Sequence, residues 1–148
     1  FRRRQTRFVI AMLDKSKAAP IALRPKGWPQ PKGYSDGMSA KGRVIVTGGC
    51  VGWDEHGKFV EGLAAQTKKT LENIVAIIAE AGAEPKHIVR LTWYVVDIEN
   101  YLALQREIGA AYREVIGKHF PAMAVVQVVR LVEKSALVEI EATAILPE

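Results

Sequence analysis

The sequence predicts an α+β domain, a single mixed sheet with two helices packed on one of its faces. Three observations lead there. Strand-length runs of β-branched residues alternate with two helix-period stretches, in the order strand, helix, strand, helix and two strands. The closing run LVEIEATAIL places Val138, Ile140, Ala142 and Ala144 on one face and Glu139, Glu141 and Thr143 on the other. At 148 residues the chain suits one domain with a core of its own.

Taken in order, residues 1–17 carry Arg2, Arg3, Arg4, Arg7, Lys15 and Lys17 against Asp14 alone, which equals the whole net charge of +5. The other 131 residues hold 15 basic and 15 acidic side chains, so the body is neutral and lacks the basic stripe of a nucleic-acid binder. The leading segment opens with Phe1 and reads as a flexible or non-native extension, with the true start then at Met12, and a transit-type leader or a basic arm are the competing readings. The domain proper is expected over residues 18–148.

Ala18 to Gly42 holds Pro20, Pro25, Pro29 and Pro31 with Gly27, Gly33 and Gly37, which leaves room only for short edge strands. RVIVTGGCV then predicts a strand from Arg43 to about Val51, followed by a turn at Asp54–Gly57. From Leu63 to Ala81 the positions Leu63, Thr67, Leu71, Ile74, Ile78 and Ala81 recur at three and four, one stripe of an amphipathic helix stopped by Gly82 or Pro85. Lys68, Lys69, Glu72 and Glu80 fall on its solvated side. Ile88 to Val96 predicts a strand with Leu91, Trp93 and Val95 inward. A second helix is expected from about Asn100 to Ile116, with Leu104, Ile108, Ala111, Tyr112 and Val115 inward. Pro121 to Leu146 reads as a closing strand pair joined by a short linker.

Two helices cover one sheet face. The other is expected to carry Ile45, Val125 and Val129 among Thr47, Thr92, Tyr94, Gln127, Glu139 and Glu141, and nothing remains in one chain to cover it. The expectation is an oligomer joined through that face.

No Walker loop, GxGxxG, GxSxG, CxxC or HExxH occurs. His56, His87 and His119 lack metal-ligand spacing, so no metal site is expected, and His119 reads as a solvated loop residue. The lone Cys50 cannot close an internal disulfide, which fits a reducing, cytoplasmic setting. It reads as a small buried thiol. No apolar run approaches the roughly 20 residues of a membrane span.

Four stretches, PKGYSDGMSAKGRVIVTGG, AAQTKKTLENI, VVDIENYL and PAMAVVQV followed by RL and ALVEIEATA, together resemble the RidA/YjgF family of enamine/imine deaminases. Members also carry the labels endoribonuclease L-PSP and translation inhibitor. The resemblance covers Ala18 to Pro147. It implies a chorismate-mutase-like fold, a homotrimer with sites in the clefts between subunits, a small-molecule ligand, and hydrolysis without a cofactor.

By the same resemblance Glu139 stands where the family's glutamate holds the attacking water, and Tyr34 where a tyrosine lines the cleft. Thr47 and Gly48 replace a Ser-Gly pair, Gly49 a glutamine, and Gln105 a pocket asparagine. Met123 occupies the place of the arginine that clamps the substrate carboxylate. Methionine cannot donate a charged bidentate pair of hydrogen bonds, so a substrate other than 2-aminoacrylate is implied. Met123, Trp93 and Tyr34 would make a less polar pocket if they converge, and Met123 and Trp93 serve equally well as core fillers. Glu139 could instead pair across an oligomer seam, Glu141 reads as a structural partner, and Arg90 could supply a substitute cation. A ligand-binding trimer without catalysis remains a second reading. Ribonuclease or translation inhibition is the third, disfavoured by the neutral body.

Overall fold

A computed structural model describes residues 19–148, so the basic leading segment lies outside the described residues. Prolines and glycines limit the lead-in to a hairpin of two three-residue strands, β1 (Ile21–Leu23) and β2 (Gly37–Ser39). The main sheet holds β3 (Arg43–Val46), β4 (Cys50–Val51), β5 (Ile88–Val95), β6 (Ala122–Gln127) and β7 (Val138–Leu146). Its order is β3-β7-β5-β6, with β4 also on β7. Among the described residues three α-helices, α1 (Leu63–Ala79), α2 (Ile98–Ala103) and α3 (Gln105–Val115), pack with these strands. The α+β class is as read from the sequence, and the sheet is mixed because β6 alone runs parallel to β5.

The closing strands are not partners. β7 inserts between β3 and β5, and β6 takes the edge on the far side of β5. The α2–α3 crossover returns the chain parallel to β5, and the 128–137 connection then carries it across to β7. Alternation identifies the face a side chain occupies but not the strand it lies beside, so the closing pairing was misread.

The core forms between the helices and one sheet face. Val138, Ile140, Ala142 and Ala144 are buried against Leu71, Ile74 and Ile78 of α1, as the alternation requires. Within the same helix Thr67 and Thr70 return their hydroxyls to the carbonyls of Leu63 and Gln66, which lets two polar residues lie in the core. Lys68 is not simply solvated, because its Nζ reaches Glu114 Oε1 at 2.8 Å and ties α1 to α3.

Two predicted elements are interrupted. The strand expected over Arg43–Val51 breaks at Thr47–Gly49, where Thr47 bonds Ala142 through both its backbone N–H and its hydroxyl. The break shifts the strand's phase, so Ile45 packs into the core and Val44 and Val46 face outward. The helix expected over 100–116 begins earlier, capped by Asp97 on the backbone N–H of Asn100, and breaks at Leu104 into α2 and α3.

The face away from the helices also differs from expectation. Val125 lies opposite Trp93 in the register and packs into the main core, while Val126 is outward. Val129 lies beyond β6 and is fully exposed. Thr47 is buried. Part of this face is covered from within the chain. Leu131 and Ala136 of the 128–137 connection are buried against Val51, with Phe59 and Tyr94 at their edge. Gln66 holds that connection down, accepting from the backbone N–H of Leu137 at 2.8 Å and donating to Ser135 O at 2.9 Å. The uncovered remainder runs over Val44, Val46, Thr92, Val126 and Glu141.

Candidate functional site

Four of the residues singled out in the sequence meet in one cavity. Tyr34, Trp93, Gln105 and Met123 line a hollow of about 530 Å³ between the β5–β6 edge and helices α2 and α3. That size is ordinary for a small-molecule pocket. Ser35 pins Tyr34 over the sheet edge, since its N–H donates to Pro121 O at 3.0 Å and its hydroxyl to Phe120 O at 2.6 Å. Met123 and Trp93 reach the cavity because both occupy the helix-facing phase of their strands, opposite Leu91 and Val125 respectively. Gln105 opens α3 at the rim.

The pocket wall contains residues the sequence reading did not nominate. Tyr112 stacks on Phe120 with ring centroids 5.7 Å apart and 14° between planes, and on Trp93 at 6.5 Å and 29°. Tyr101 meets Trp93 edge-on at 6.3 Å. The Tyr112 hydroxyl donates to the carbonyl of His119, and burial pushes its ionisation far above the ordinary tyrosine value. His119 is half-buried rather than solvated, with Nε2 2.7 Å from the Ile88 carbonyl, so it latches the turn before β6 to β5. Exposed Lys32 and Arg113 stand at the mouth. For Tyr112 helical spacing is the available signal, because Gln105, Gly109 and Tyr112 follow one another at four and three residues.

Glu139, Thr47, Gly48 and Gly49 do not join this cavity. Glu139 faces away from the helices, in register with Val51 on one side and Tyr94 on the other. Its carboxylate folds over the backbone of Gly49, so closely that a methyl group there would overlap it. The Thr47 hydroxyl is committed to the Ala142 N–H, and Gly48 is exposed with open space where a Cβ would stand. Glu141 accepts from the Tyr94 hydroxyl at 2.7 Å, the structural partnership expected of it, and that bond is the main cause of the raised Tyr94 ionisation. Arg90 lies on the Glu139 side of the sheet and bonds Thr92, so it is no substitute cation for the Met123 pocket. Cys50 is buried, and burial foremost pushes its thiol above the usual range despite a hydrogen bond with Thr47. Such a thiol is a poor nucleophile. Among the described residues no cluster of His, Cys, Asp and Glu could hold a metal ion.

The profile of the endoribonuclease L-PSP family matches residues 29–146. The chain belongs to the RidA/YjgF family. A RutC family protein from Pyrococcus abyssi is 36% identical over 78% of this chain and 89% of its own length. A protein of Salmonella typhimurium named 2-iminobutanoate/2-iminopropanoate deaminase is 32% identical over 86% of this chain and 91% of its own. Among solved structures, a Rid family protein of unknown function from Yersinia pestis superposes with a TM-score of 0.73 at 34% identity, covering 86% of this chain and 99% of that one. The YjgF gene product of Escherichia coli superposes with a TM-score of 0.62 at 31% identity, over 87% and 94%. This family member therefore shares the mixed α+β fold of its relatives along nearly the whole described domain. No described helix is long and apolar enough to cross a membrane.

Proposed function

We propose that this protein is a RidA-type hydrolase that deaminates an imine or its enamine tautomer, with its sites completed between subunits of a homotrimer of chorismate-mutase-like domains. The observation that carries the reading is the division of the site. Tyr34, Trp93, Gln105 and Met123 form a pocket on the helix side of the β6 edge, while Glu139 with Gly49 sits on the opposite sheet face. One chain cannot bring the carboxylate to its own pocket. A neighbouring copy packed on the partly apolar face that bears Val44, Val46 and Val126 can. The relatives named 2-iminobutanoate/2-iminopropanoate deaminase, at 30% to 32% identity, supply the reaction class.

The chemistry asks little of the protein. Water adds to the carbon of the protonated imine while Glu139 takes one of its protons, giving a neutral carbinolamine. Glu139 returns that proton to nitrogen, the C–N bond breaks, and Glu139 receives the carbinol hydroxyl proton and passes it to the departing ammonia, so that a carbonyl compound and ammonium are left. A proton carrier of this kind contributes about 10²–10⁴-fold. Water and a carboxylate suffice, without a cofactor. Met123 marks a substrate other than 2-aminoacrylate, since it offers no charge at the position it occupies. The same residue favours a second reading, a trimer that binds a metabolite without turning it over.

The test is ammonia release from imines generated in place by an amino-acid oxidase, with wild type and Glu139→Gln side by side. Turnover by wild type that falls about 10²-fold or more in the variant supports hydrolysis through Glu139. A fully active variant sinks it, and ligand binding with no turnover across a broad imine set selects the second reading.

A further inference from the structure

We propose that Arg113 is the anion-binding residue of the aromatic-walled pocket, and that the pocket selects a carboxylate attached to an aromatic or bulky apolar body. That such a compound is the imine substrate rests on the hydrolase reading; the binding preference stands without it.

The wall sets the body of the ligand. Trp93, Tyr112 and Phe120 form one continuous stack, and Met123 adds a polarizable, adaptable side chain beside them. A three-carbon acid would leave most of a 530 Å³ cavity unfilled and this apolar surface wet. Trp93 is 3% exposed, and its indole N–H has no acceptor among the described residues. A buried donor without a partner carries a desolvation cost that an acceptor-bearing occupant can relieve.

The mouth sets the charge. Arg113 and Gly109 both line the cavity, one helical turn apart. A Cβ on Gly109 would stand 3.3 Å from Arg113 Nη1, so the guanidinium reaches back to the helix surface where the glycine leaves room. Glycine inside a helix weakens it, and here it frees the path of the arginine toward the pocket. Among the described residues Arg113 makes no ion pair, whereas the adjacent Glu114 is held by Lys68 at 2.8 Å. A planar guanidinium with free donors matches the two oxygens of a carboxylate. Lys32, also at the mouth, adds positive potential without that geometry.

Calorimetric titration of the purified protein with phenylpyruvate, pyruvate and phenylacetone tests both halves. Phenylpyruvate should bind about tenfold or more tighter than pyruvate, and Arg113→Gln should weaken phenylpyruvate about tenfold while leaving phenylacetone unchanged. Arg113 is exposed, so the variant's folding is not at risk. Pyruvate binding as tightly as phenylpyruvate, or an Arg113→Gln variant with undiminished phenylpyruvate affinity, overturns the proposal. Arg113-dependent binding in a protein that hydrolyses no imine would leave this inference standing and remove the hydrolase reading. Imine turnover indifferent to Arg113 together with undiminished binding would do the reverse.

Discussion

The carboxylate of Glu139 occupies the space where a side chain at Gly49 would begin. Gly49 is thus the position in the 47–49 break that decides where Glu139 points. The overlap is with a flexible side chain, so Gly49→Ala can be accommodated by turning the glutamate away. At Gly52 the added Cβ would meet the backbone of Gln66 at 2.7 Å, and backbone cannot step aside.

The two glycines should therefore fail differently. Gly49→Ala is expected to keep its denaturation midpoint, with a cost below about 1 kcal/mol, and to lose imine turnover nearly as Glu139→Gln does. Gly52→Ala is expected to lose about 1–3 kcal/mol of stability by forcing α1 off the sheet. Urea melts and ammonia release on the same preparations separate the cases. A Gly49→Ala protein that melts early, or that retains full turnover, would contradict the role given to this contact.

Gln66 offers a second test. It is 3% exposed, and its amide serves the carbonyls of Val60 and Ser135 and the N–H of Leu137 together. Gln66→Leu keeps the volume and strands all three backbone groups, a loss of about 2–4 kcal/mol. Thr70→Val in the next turn removes only a hydroxyl bonded within the helix, at a cost below about 1.5 kcal/mol. Equal costs would mean that the 128–137 connection does not depend on Gln66.

The same residue shows where sequence reading reaches its limit. Alternation placed every buried residue of β7 correctly, because a half-buried strand has a period of two whatever its neighbours are. The stripe from Leu63 to Ile78 was legible for the same reason, and Gln66 was not, since a glutamine on a helix looks solvated until its partners 69 and 71 residues away are known. The phase errors at Ile45 and Val125 come from strands too short, or too interrupted, to establish which alternate set is inward. For the site, the resemblance nominates Tyr34, Gln105 and Met123 and the apolar character of Trp93 adds a fourth, and the four do converge. Arg113 carries no local pattern that distinguishes it from a surface arginine, and only the fold brings it to the pocket mouth.

His87 makes stability depend on pH in a direction that can be worked out. It is buried at the end of the short 3-10 turn Pro85–His87, and its Nδ1 accepts the backbone N–H of Glu84 at 2.9 Å, a role open only to the neutral ring. Burial foremost, then Lys86 and His119, hold its pKa below the ordinary 6.5, with Glu84 opposing them. As pH falls, the unfolded chain therefore takes up the proton before the folded one. The contribution of neutral His87 is complete above about pH 6.5 and is lost progressively as the pH falls through the lower folded value. Thermal melts between about pH 7.5 and pH 5 should show a declining melting temperature, and His87→Asn, which keeps an acceptor but cannot titrate, should flatten that part of the decline. A variant whose melting temperature falls as steeply as wild type would assign the acid sensitivity to other groups.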